Sequence, residues 1–401
     1  MIGAFLDPYV TDWLNLLIRW LHVIAAIAWI GSSFYFIGLD NHLLRPERDA
    51  DAERGVGGEA WEIHGGGFYH VQKYRVAPPE LPERLLWFKW EAYTTWLSGF
   101  ALLIVLYYFN ASTYLVDRQV ADLGDWTATA ISIGGLALAW VVYDVLCRVL
   151  EGRELVIGAA ILTLTTTAAY GAEQLFAARA AYLQIGAMLG TIMAANVFFT
   201  IIPAHWRLIR AKEAGEDPDP APGLRAKQRS VHNNYLTLPV LLTMLSGHFS
   251  FTYGHAHAWL ILVALMVIGA WIRHFFNLRH TGRTVWWIPA SAGAALLALA
   301  IAIRPEETKP ATASGGVTFA QVQPIVERRC AFCHSESPKS AQFKSAPAGI
   351  RLDTAEEIAA RADRIKAVAV DSRTMPLGNA THMTDSERQL LGQWIDEGAK
   401  P

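Results

Sequence analysis

Near the C-terminal end of the chain, Cys330-Ala331-Phe332-Cys333-His334 sets two thiols three positions apart with a histidine directly after the second. Cysteines at this spacing can each form a thioether with a haem vinyl group, and the adjoining imidazole can ligate the iron from one face. A redox dithiol or a structural metal pair would use the same cysteines but leaves His334 without a role. A thioether as sixth ligand raises the reduction potential. Met375 supplies one, in the Pro/Gly-punctuated loop Thr374-Met375-Pro376-Leu377-Gly378. Met383 is the rival, one residue before a helix start, where its side chain would pack. The implied chemistry is electron transfer through a covalent haem c, with His334 and Met375 on the iron.

Histidines inside long apolar stretches are costly and need a partner or a role. His22 lies in Leu21-His22-Val23-Ile24-Ala25, and His248 in Ser246-Gly247-His248-Phe249. One histidine from each of two helices at one depth is how a helical bundle holds a b-type haem. The bland alternative is that each imidazole bonds a backbone carbonyl or a helix hydroxyl. His255 and His257 are alternative outer ligands.

A second group of polar residues falls at the opposite ends of the apolar stretches. Phe88-Lys89-Trp90-Glu91-Ala92-Tyr93 opens one, and His232-Asn233-Asn234-Tyr235 opens another. Glu91 can accept a proton or pair with Lys89 or an arginine; His232 and Asn233 can orient a polar ligand or cap a helix. The segment Gly67-Phe68-Tyr69-His70-Val71-Gln72-Lys73-Tyr74-Arg75 alternates aromatics with cationic and amide groups, as an extended segment or hairpin. Phe68, Gln72 and Arg75 together suit a flat anionic heterocycle through stacking, amide pairing and a guanidinium on its negative edge. A strand facing lipid headgroups has the same composition.

These residues need elements to position them. With 53% hydrophobic and 17% charged residues among 401, the composition is that of a polytopic membrane protein with a soluble appendage. Stretches long enough to span lie at about 13–38, 87–109, 126–150, 154–177, 180–206, 234–252, 257–278 and 285–303. The expected fold is all-α: an eight-helix transmembrane bundle over 1–303, with a loop at 39–86, a linker at 304–316 and a C-terminal cytochrome c domain at 317–401. Arginines and lysines gather in the odd-numbered connections, which places these in the cytoplasm and both termini outside. Haem c is attached outside the bacterial cytoplasmic membrane, so topology and cofactor chemistry agree on a periplasmic C-terminal domain. In that domain Thr318 can cap a helix carrying Val322, Ile325 and Val326. Asp353 with Glu356 opens another helix to about Val370, and Thr384 with Glu387 forms a capping box. Cys147, alone in an apolar stretch, reads as packing. The net charge of -2 and the lack of a basic tail give no sign of a nucleic-acid partner; lipid is the expected surroundings.

From Tyr69 to Pro79, through Leu81-Pro82-Glu83-Arg84 and Trp87 to Glu91, then His232 to Pro239, Ser246-Gly247-His248 and the haem-binding segment, the chain resembles the bacterial membrane-bound, cytochrome c-containing urate hydroxylases. The resemblance runs over essentially the whole chain. It implies oxidation of urate to 5-hydroxyisourate, with electrons passing to cytochrome c rather than to oxygen with release of peroxide. It also implies an inner-membrane location and a soluble periplasmic cytochrome c and terminal oxidase as partners. Glu91, His70 and His232 are then the candidate bases, and water the oxygen source. Residue chemistry alone ranks a quinol-oxidising electron carrier first; a sensor or transporter with a redox cap is a further alternative.

Overall fold

The computed structural model describes residues 8–118, 120–304, 316–340, 343 and 345–401. The linker expected at 304–316 thus lies almost wholly outside the described residues. The first 304 residues form α1 (Pro8–His42), α2 (Asp49–Glu53), β1 (Val56–His64), β2 (Gly67–Tyr74), α3 (Trp90–Leu102), α4 (Ala111–Tyr114), α5 (Asp125–Val149), α6 (Glu154–Glu173), α7 (Ala178–Ala195), α8 (Ile202–Glu213), α9 (Ala221–Leu245), α10 (Ser250–Tyr253), α11 (Ala258–His280) and α12 (Trp287–Ala302). Beyond them come α13 (Phe319–Arg329), α14 (Ala355–Ala359), α15 (Ala362–Ile365) and α16 (Asp385–Asp396). Each part has its own apolar core. One is centred on α5, α6, α7 and α11, and the other on Val322, Val326, Leu391 and Trp394.

Among the described residues, five helical stretches are long and apolar enough to cross a membrane: Tyr9–His42, Asp125–Val149, Glu154–Glu173, Ala178–Glu213 and Ala258–His280. The other three apolar stretches also form helix, but less cleanly. α3 runs into a π turn at Leu103–Tyr108, α9 begins with the polar sequence Ala221–Asn234, and α12 has 16 residues. α1 and α3 pack side by side, with the ring of His22 against Gly99; a Cβ at Gly99 would stand 2.9 Å from the imidazole.

A second π turn, Asn196–Ile201, joins α7 to α8. Pro203 explains it: proline has no N–H to return to the carbonyl of Phe199, so the helical ladder slips by a residue. The slip falls where the chain carries Asn196, Phe199 and Thr200.

The loop at 39–86 holds the one departure from an all-α fold among the described residues. β1 and β2 form an antiparallel hairpin, with Trp61 opposite His70 and Glu59 opposite Gln72. Gly65 and Gly66, both at positive φ, make its turn. Sequence reading anticipated β2 but not its partner, because Val56–His64 lacks the alternation of apolar and polar residues that marks a half-buried strand.

In the C-terminal part Thr318 caps its helix and the capping box at Thr384 forms, both as expected; Gln321 completes a box at Thr318 as well. The middle helix starts one residue later than expected, with Thr354 as cap and Glu357 as its partner, because the Asp353 carboxylate accepts the Glu336 amide at 2.8 Å. It is also not continuous to Val370: α14 and α15 are separate, and a π turn at Lys366–Asp371 follows.

Candidate functional site

Two groups of side chains have the makings of a site, one at the end of the helices nearest the hairpin and one around the Cys-x-x-Cys-His segment. The first is a buried polar network across α5, the Asn196 turn and α9. The Asn196 amide donates to the Tyr143 hydroxyl oxygen at 2.9 Å and to Asn233 Oδ1 at 2.9 Å, and Asn233 donates to the Met193 carbonyl at 3.0 Å. With its oxygen occupied as acceptor, Tyr143 gives its proton to His232 Nδ1, 2.8 Å away. His232 Nε2 then carries the imidazole proton and faces Glu154 at 3.5 Å. One atom is left over: Asn196 Oδ1 is buried without a partner. Cys147, expected to pack, is buried beside this network with its sulfur 3.9 Å from His232 Nδ1.

A turn earlier on α9, the buried Arg229 guanidinium donates through Nη2 to Asp144 at 2.8 Å and lies over the Tyr143 ring, 4.9 Å from its centroid. Sequence reading counted Arg229 among the loop cations and overlooked Tyr143, Asp144 and Asn196. An aspartate and an asparagine inside apolar helices were the available signal.

Glu91 opens α3 with Oε2 buried and without a partner. The alternative reading, an ion pair with Lys89, does not form among the described residues; Lys89 sits over the rings of Trp87 and Trp90 instead, at 5.0 and 5.8 Å.

Within the hairpin, Glu59 gathers His70, read as a candidate base, and Gln72, read as a substrate contact. His70 Nε2 lies 3.0 Å from its carboxylate, the Gln72 amide 3.2 Å, and the Glu47 backbone N–H donates at 2.8 Å. That backbone bond foremost, then Gln72 and His70, hold the Glu59 carboxyl below the usual range. Trp61 stacks on His70 at 4.3 Å. Phe68 and Arg75 are exposed.

Around the second group, Cys330 and Cys333 are free thiols directly after α13, and the His334 amide bonds the Cys330 carbonyl at 2.9 Å. Burial pushes the Cys330 thiol up to about 12 and that of Cys333 also upward. Burial lowers His334, against the Ile350 carbonyl that pulls it upward, so its imidazole is neutral at physiological pH. His334 Nδ1 lies 3.1 Å from that carbonyl, which fixes the ring and leaves Nε2 as the free donor. Met375 packs against the C-terminal core together with Cys330, and its carbonyl accepts from the buried Arg388 at 2.7 Å. Met383 is 1% exposed inside that core. Two thiols, an oriented imidazole and a thioether beside one apolar core fit a covalent haem. No cluster of three His, Cys, Asp or Glu fit for a bare metal ion occurs among the described residues.

The donors expected for a second haem fit less well. His22 has Nδ1 tied to the Thr95 carbonyl at 2.9 Å and to Ser98 at 3.1 Å, which leaves Nε2 free. His248 is exposed in a 3₁₀ turn, and among the described residues no hydrogen bond joins it to His22. His255 and His257 lie with ring centroids 5.9 Å apart at the start of α11.

Against known families, residues 8–304 match the one described as Urate oxidase N-terminal. No curated protein and no solved structure matches.

Proposed function

The chain belongs to the urate oxidase N-terminal family, and from that premise we propose that it is a membrane-bound urate hydroxylase whose electrons leave through its own C-terminal haem c. The observation that carries this reading is the joining, in one chain, of the matched segment 8–304 to the Cys330–His334 attachment motif. An oxidase that hands electrons to oxygen needs no such appendage. In the proposed arrangement eight helices cross the bacterial inner membrane, with the hairpin in the cytoplasm and the cytochrome c domain in the periplasm. There a soluble cytochrome c and a terminal oxidase take the electrons onward.

The overall reaction takes urate and one water to 5-hydroxyisourate with release of two protons and two electrons. Removing two electrons leaves C5 electrophilic, and the oxygen of water bonds there. The chain's part on the inner side is to hold the anion and take up protons. A proton delivered to the Tyr143 oxygen can be relayed, as Tyr143 passes its own to His232 Nδ1, and the resulting imidazolium faces the Glu154 carboxylate. Asn196 and Asn233 keep Tyr143 in register for that transfer. The partnerless Glu91 Oε2 is proposed as a second proton acceptor. The hairpin with Phe68, His70, Gln72 and Arg75 is proposed as the cytoplasmic approach to this site.

Cys330, Cys333, His334 and Met375 would hold haem c, which when bound supplies a one-electron acceptor. His22 is the proposed ligand should a b-type haem lie between the two sites, with His248 as its partner. The purified full-length protein should bleach urate absorbance and reduce added cytochrome c without consuming oxygen. Stoichiometric peroxide with an unreduced cytochrome would overturn the proposal.

A further inference from the structure

Beside the Tyr143–His232 network, between α5, α8 and α9, lies a cavity of about 310 Å³. We infer that this cavity seats the urate anion, with Arg229 Nη1 binding its negative edge and Phe199 forming an apolar wall. The inference rests on the urate reading above and gives it an anchor.

The key observation is an unpaired guanidinium nitrogen. Arg229 is 4% exposed, and Asp144 accepts only from Nη2; Nη1 is buried without any partner. A buried N–H donor is rarely left unsatisfied, and Arg229 is among the residues that line the cavity. The wall carries Arg148, Arg207, Arg225 and Arg229 against two carboxylates. Both carboxylates are already engaged: Asp144 pairs with Arg229 and with Arg148 Nε at 2.7 Å, and Glu151 faces Arg225 at 4.0 Å. Arg207 makes no ion pair among the described residues and is exposed. The cavity therefore favours an anion.

Shape and surroundings select the kind of anion. At about 310 Å³ the space is at the small end of ligand cavities and has room for a single bicyclic ring system. Phe199, whose ring packs on Trp140 at 4.7 Å, offers a flat apolar contact. The Asn196–Ile201 π turn is what brings Phe199 and Thr200 to this wall. Cys147 lines the cavity and lies 3.9 Å from His232 Nδ1, so a purine held on Arg229 sits one side chain from the proposed proton relay.

The test is equilibrium dialysis of urate against the full-length protein kept reduced with dithionite under argon, so that no electrons can be accepted and binding is read without turnover. Wild type is expected to bind one urate per chain. Arg229→Gln should weaken binding at least tenfold, Arg229→Lys less, and Arg207→Gln severalfold. Should Arg229→Gln misfold because Asp144 loses its buried partner, the double variant Arg229→Gln/Asp144→Asn removes both charges and should bind as weakly. Urate binding by folded Arg229 variants at wild-type strength would overturn the site while leaving the urate reading intact. A wild type that binds no urate would overturn that reading itself. Displacement of urate by equimolar inorganic phosphate would mark a general anion site and overturn the assignment to a planar purine.

Discussion

Gly254 is pressed against the backbone of Ser372. A Cβ added at Gly254 would stand 2.5 Å from the Ser372 carbonyl oxygen and 2.8 Å from its Cα, which no side-chain rotation relieves. Ser372 is three residues before Met375, and the turn after it, Leu377–Asn379, packs against α4. The loop carrying the proposed thioether ligand is thus held between α4 and α10 of the first 304 residues.

Gly254 has φ -88°, a conformation open to every residue, so Gly254→Ala tests this seat without backbone strain. The added methyl should push the C-terminal part away, hasten its release from membranes by limited proteolysis, and slow urate-dependent haem reduction about tenfold, or ~1.4 kcal/mol of barrier. Unchanged release and rate would show that the contact does not matter.

The two methionines should separate cleanly. Met375→Ala should lower the reduction potential of the c haem while the domain stays folded, because a thioether ligand is lost. Met383→Ala should leave the potential in place but cost about 2–5 kcal/mol of stability, the usual range for emptying a fully buried methionine. Redox titration and denaturation of both variants check this, and the opposite pattern would exchange their roles.

Hairpin stability should depend on pH through Glu59. Its carboxyl is held below the ordinary value of 4.5, so the ionised form stabilises the fold above that value. The contribution is lost as pH falls through the lower, folded-state value. Hydrogen exchange across residues 56–74, corrected for intrinsic rates, should rise severalfold below pH 4. Glu59→Gln should already exchange faster at pH 7 and show little further change on acidification. Equal exchange in both proteins at all pH values would contradict the role given to Glu59.

The proposed topology has its own test. An alkaline phosphatase fused after Pro401 should be active, and one inserted at the Gly65-Gly66 turn should not. The reverse pattern would place the haem segment in the cytosol.

Much of this could be read from the sequence because the signals were local. The Cys330–His334 spacing, the cap at Thr318, the box at Thr384, and most apolar helices each depend on a few neighbouring residues. The buried network was only half legible. His232 and Asn233 sit together in a polar cluster, but Tyr143 and Asn196 reach them from helices 89 and 37 residues away. Arg229 reads as a loop cation because α9 starts as polar helix well before its apolar stretch. The depth of His248 was also beyond local reading: the chain leaves α9 for a 3₁₀ turn there, and the imidazole ends exposed.

The most direct measurement is an anaerobic titration of the purified, oxidised full-length protein with urate, followed in the visible spectrum of the c haem. The haem should be reduced, with two haems reduced per urate consumed and 5-hydroxyisourate formed. A haem that stays oxidised under urate, yet is readily reduced by dithionite, would contradict the proposed function.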